Sequence, residues 1–102
     1  MIVFIEKVYL DNDQILFVKP KSYSFDKVYR SAMGVDWDEH KCCLYQAHPS
    51  REWSILRWFD QILLAVKNEY GITLKVCSDT NYENIGFEVQ KSIENEAFST
   101  AV

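Results

Sequence analysis

Residues 50–71 read SREWSILRWFDQILLAVKNEYG, and how this stretch folds decides the architecture of the whole chain. At about 100° of rotation per residue, Ile55, Leu56, Phe59, Ile62, Leu63, Val66 and Tyr70 fall on one broad stripe. Ser54, Arg57, Gln61 and Asn68 lie opposite, so the pattern predicts an amphipathic helix and not a membrane span. Pro49 or Ser50 suits the start, Glu52 supplies a negative charge in the first turn, and Gly71 suits the left-handed residue that closes a helix. Trp53 and Leu64 project to one flank of the stripe, Trp58 and Ala65 to the other. Apolar side chains thus span roughly 240° of the circumference, where a stripe of ~100° is enough to dock a helix on one core. The excess predicts a second buried surface, with Trp53, Trp58 and Leu64 as partner-binding residues. By the same count Trp53 and Trp58 stand about 140° apart, too far for one groove to bury both easily.

Outward from the helix the chain reads as strands. Ile2 to Leu10 is rich in branched and aromatic residues, Asp11 to Gln14 is a polar turn, and Ile15 to Lys19 folds back until Pro20 ends it. A third strand is expected between Tyr23 and Met33, a polar turn over Gly34 to Glu39, and a fourth strand from Lys41 to Ala47. Ile72 to Cys77 reads as a fifth. The segment from Tyr82 to Ile93 reads two ways. As a helix it aligns Tyr82, Ile85, Val89 and Ile93 but leaves Phe87 on the wet side and carries Gly86; as a strand, Ile85, Phe87 and Val89 alternate cleanly. The strand is preferred, with a loose helical turn or disorder over 94–102. The expected fold is one α+β domain, an antiparallel sheet of five or six strands with one long helix across a face.

Bulk properties narrow the function. A chain of 102 residues with 48% apolar content builds a core without disulfide or metal staples. A net charge of -4 speaks against sequence-independent nucleic-acid binding, which needs an excess of lysine and arginine, so no nucleic-acid partner is expected and, with no apolar span, no membrane. The N-terminal residues do not form a signal peptide, and three cysteines make no disulfide framework. A cytoplasmic protein with free thiols is expected.

Few residue groups carry chemistry. His40, Cys42 and His48 are metal-ligand types, but their spacing matches no zinc pattern, and adjacent Cys42 and Cys43 point to opposite faces of a strand. Asp36, Asp38 and Glu39 surround Trp37 without the further ligands at set intervals that a calcium loop requires, so a solvated turn is the expected role. Phosphate loops, nucleophile elbows and zincin helices have no counterpart in the sequence. No catalytic residue, metal or cofactor is therefore assigned.

The run Met33-Gly34-Val35-Asp36-Trp37-Asp38-Glu39-His40, with the Trp-rich helix after it, resembles the small orphan proteins of bacterial mobile integron gene cassettes. The resemblance implies a compact cytoplasmic protein of undetermined activity, often oligomeric, in an accessory or adaptive role. It supplies no catalytic residues. The leading expectation is a protein that acts by association, as a homodimer or with another protein, and an immunity-like role against a basic toxin suits its acidic charge. The competing class is a small-apolar-ligand binder with an aromatic pocket of Tyr29, Trp37, Tyr45 and Phe59, together with Trp58. A small enzyme using His40, His48 and a carboxylate stands third.

Overall fold

The computed structural model describes residues 1–47 and 52–99. Its organising strand is β1 (Ile2–Leu10), which pairs on one side with β2 (Leu16–Pro20) in an antiparallel hairpin. The Asp11 carboxylate shapes the hairpin turn by accepting the backbone N–H groups of Asp13 and Ile15, each at 2.9 Å. Val3, Ile5, Val8 and Leu10 of β1 are buried, so the inward set changes from odd to even positions along the strand. A register shift between Ile5 and Lys7 absorbs the extra residue.

The other edge of β1 serves two short parallel strands in succession. Ile2 to Phe4 pair with β5 (Thr73–Lys75), and Lys7 to Tyr9 pair with β6 (Asn81–Glu83). Where one partner gives way to the next, the Thr80 hydroxyl donates to the carbonyl of Ile5 at 2.6 Å and accepts the N–H of Cys77 at 2.9 Å. Beyond β2 lie β4 (Cys43–Gln46) and the edge strand β3 (Val35–Asp38), both antiparallel, giving the order β3-β4-β2-β1-β5. The sheet is therefore mixed, where the sequence suggested antiparallel pairing throughout, because β4 runs parallel to β1 and the helix after it crosses over to bring β5 back in the same sense.

That helix is α1 (Ile55–Tyr70), lying across one face with Trp58, Phe59, Ile62, Ala65 and Val66 buried. Starts at Pro49 or Ser50 fall outside the described residues; the observed N-cap is Ser54, whose hydroxyl accepts the N–H of Arg57 at 3.1 Å. Gly71 ends the helix at φ 69°, as its sequence position suggested. The α+β class and the long helix on the sheet thus match the sequence reading.

Three local expectations are corrected. Between Tyr23 and Met33 there is no strand but a short 3₁₀ turn over Val28–Ser31, because Tyr23 and Ala32 take φ values of 74° and 55° that no strand tolerates. Phe25 and Val28, three apart, turn inward together, and Phe25 packs edge-on to Trp37 and Tyr70 with centroids at 5.9 and 5.1 Å. The polar turn expected over Gly34 to Glu39 is largely β3, with Val35 and Trp37 inward and Asp36 and Asp38 outward. Only at its end does the Asp38 carboxylate close a turn, accepting the N–H groups of His40 and Lys41. Finally, the strand preferred through Ile85, Phe87 and Val89 is instead α2 (Phe87–Ser99), which packs beside α1 and buries Ile93 completely. Phe87 is left 69% exposed, the cost that the helical pattern carried from the start.

Thr80→Val leaves the Ile5 carbonyl and the Cys77 N–H without their partner. Urea unfolding is expected to show a loss of roughly 1–3 kcal/mol with unchanged slope, the range for orphaned buried polar groups. Thr80→Ser keeps the hydroxyl and should stay within about 1 kcal/mol, the worth of a buried methyl. A second expectation concerns alkaline pH. Burial pushes the Tyr82 phenol up to about 12 from 10.0, so folding favours its protonated form. Its share of stability is complete below pH 10 and is lost as the pH rises to about 12. A pH series of urea midpoints should show that decline in the parent chain and a shallower one in Tyr82→Phe.

Candidate association surface

The aromatic residues singled out by the sequence do not end in equivalent places. Trp58 is 5% exposed and belongs to the core. Trp53 precedes the helix, so the angular separation calculated for two helical residues does not govern it. Its ring instead folds back to 4.8 Å from that of Trp58, tilted by 48°, and the Arg57 guanidinium covers it at 4.1 Å. One subunit thereby shelters both indoles in large part. Leu64, the third of the set, stays 49% exposed.

The four residues of the expected aromatic pocket are divided between different surroundings. Trp37 and Phe59 are core residues, and Tyr29 is 52% exposed on the 3₁₀ turn. Tyr45 points to the opposite sheet face, because Trp37 pairs with Leu44 and Tyr45 with Asp36. There it forms a row with Phe17 and Tyr9, centroids 5.5 and 5.1 Å apart, with Lys41 set over Phe17 at 4.3 Å. Tyr29 alone of the four lines a hollow of about 300 Å³, with Ala32, Gly34, Val35, Asp36 and Ala47.

Among the described residues, the thiols and the Asp36 and Asp38 carboxylates make local contacts. His40 is exposed and His48 lies outside the described residues. The thiols of Cys42 and Cys43 donate to the carbonyls of Glu39 and Lys41, and the Tyr9 hydroxyl lies 3.7 Å from the Cys43 sulfur. Asp36 accepts the N–H of Trp37. Among the described residues, no three of His, Cys, Asp and Glu converge to hold a metal ion.

A different surface remains open, on the flank of α1 turned away from the core. Asp60, Leu63, Leu64 and Lys67 recur at i, i+3, i+4 and i+7 and therefore share one stripe. With Thr73 and Leu74 of β5 they line a groove of about 330 Å³. The Lys67 ammonium leans over the strand and donates to the Thr73 hydroxyl at 3.3 Å. Strand β5 is a sheet edge, paired to β1 and, among the described residues, to nothing on its other side. On the paired strand β1, Ile2 and Phe4 are 51% and 47% exposed, on the sheet face opposite buried Val3. Leu64 was legible as a candidate; Asp60, Leu63, Lys67, Thr73 and Leu74 were not, although the four-residue helical spacing was present in the sequence.

Residues 4–80 match the model of the family described as Integron Cassette Protein Hfx_Cass5. Among solved structures, the integron cassette protein Hfx_Cass5 from the mobile metagenome of the North West Arm Sewage Outfall is similar. It is 30% identical over 94% of this chain and 95% of that one, with a TM-score of 0.45. No curated protein matches the chain.

The three free thiols differ in access. Burial pushes the Cys43 thiol up, whereas Cys42 is exposed and Cys77 is only partly covered. Brief alkylation with iodoacetamide at neutral pH, read by peptide mass spectrometry, should modify Cys77 and exposed Cys42 first. Cys43 should react only after unfolding in urea. Equal rates at Cys43 and Cys42 would contradict the buried placement.

Proposed function

The chain belongs to the Hfx_Cass5 integron cassette protein family, and from that premise we propose that it is a cytoplasmic binding protein acting by association through the α1–β5 groove. The observation that carries this reading is Leu64, half exposed on a helix whose other large apolar residues are at least partly sheltered, at the mouth of a groove beside an open sheet edge. An apolar centre with charged ends is the anatomy of a protein contact, in which a few central side chains are desolvated and a polar rim surrounds them. Free cysteines suit a reducing compartment.

In this reading the indoles are supports. Trp58 sets the helix on the sheet, Trp53 closes against it beneath Arg57, and Leu64 is carried outward on the opposite flank. Small-ligand binding by the aromatic quartet finds no comparable support, since the pleat of the sheet sends Tyr45 and Trp37 to different faces.

Site-directed photocrosslinking in living cells tests the proposal. A benzophenone side chain replacing Leu64 is expected to yield a covalent adduct with a polypeptide, and the same probe replacing Lys91 on α2 is not. Equal or absent adducts at the two positions would remove the groove as a contact surface.

A further inference from the structure

The groove is charged at both ends with opposite sign. Asp60 stands at one end and Lys67 at the other, with Leu63 and Leu64 between them. Seven residues separate the charges, about 10.5 Å along the axis, and their midpoint falls between the two leucines. Among the described residues neither charge is in an ion pair, and the one contact of the Lys67 ammonium is the Thr73 hydroxyl.

We infer that the occupant of this groove is a second copy of the chain, its α1 lying antiparallel about a two-fold axis at Leu63 and Leu64, so that Asp60 of each copy faces Lys67 of the other. The inference rests on the association reading above and names the partner. A two-fold contact is self-complementary: whatever a patch offers at one end it must receive at the other. A helix stripe ordered acid, leucine, leucine, base meets that condition only when turned upon itself antiparallel. A wholly basic or wholly acidic peptide would meet repulsion at one end, whereas a second copy satisfies both ends and covers both leucines. The leucines are short enough for axes 8–10 Å apart, the usual spacing of packed helices. Strand β5 contributes a wall and not a template, because three residues with Lys75 at the end make a poor edge for adding another strand.

Charge reversal separates this inference from its alternatives. In sedimentation equilibrium at micromolar to 100 µM concentration, the parent chain is expected to be a dimer. Asp60→Lys and Lys67→Asp should each raise the dissociation constant at least tenfold, and the double variant should return within about threefold of the parent. Leu64→Asp should be monomeric with an unchanged far-ultraviolet circular dichroism spectrum. If a reversal variant misfolds, Asp60→Asn and Lys67→Gln provide the milder pair, with loss of dimer in each expected. A monomeric parent chain, or a dimer indifferent to the reversals or not rescued by the double change, would overturn the inference. The photocrosslink keeps the two proposals apart: an adduct at position 64 with a different protein removes the second copy and leaves the association role, whereas no adduct removes both.

Discussion

The single edge of β1 has to satisfy two strands, and the rest of the architecture depends on how that edge is shared. Between the segment held by β5 and the segment held by β6, the carbonyl of Ile5 would face the interior without a partner. The Thr80 hydroxyl takes it at 2.6 Å while accepting the N–H of Cys77. A buried carbonyl left alone costs on the order of 1–3 kcal/mol, a large share of the stability of a small domain. Because this junction lets both strands register against β1, the helix between β4 and β5 is delivered to one face and α2 follows beside it. The shift after Ile5 belongs to the same solution, since it rotates Val8 and Leu10 back toward the core that Val3 and Ile5 already occupy.

The position of α1 then settles which side chains are structural and which remain available. With its core face committed to the sheet, the helix has two flanks, and they end differently. On one, Trp53 reaches Trp58 from just outside the helix, and Arg57 in turn lies over Trp53. On the other, Leu64 has only the short edge strand beside it. The far face of the sheet is treated in another way again: Tyr9, Phe17 and Tyr45 stack on one another across three strands, and Lys41 lies over the central ring, leaving Phe17 only 4% exposed. The aromatic row on that face thus covers itself, whereas Ile2 and Phe4 of β1 and the α1–β5 flank stay open.

How far the sequence was legible follows the range of the forces involved. The long helix was legible because its 3.6-residue periodicity repeats over four turns, and the β1–β2 hairpin because branched residues flank a turn built by Asp11. The strand at Val35–Asp38 was equally periodic, but two aspartates among four residues looked like a turn; burial of Trp37 against Phe25 outweighed that local polarity. At Ile85–Val89 alternation over five residues competed with a four-residue spacing from Ile85 to Ile93, and packing beside α1 favoured the latter. The site was less legible than the fold. Leu64 stood out by angle alone, yet the groove needs β5 beside the helix, and no local pattern announces that neighbour.

The amino-acid order by itself determined the helical periodicity, its closing glycine, the first hairpin, the acidic balance and the resemblance to integron cassette proteins, because each is a property of residues close in the chain or of their sum. Only the tertiary structure decided which strands share β1, that Trp53 would lie against Trp58, and that Asp60, Leu63, Leu64 and Lys67 would stand beside an open edge. Those outcomes are set by contacts between residues far apart in sequence, whose free energy exists only once the sheet and helix are brought together.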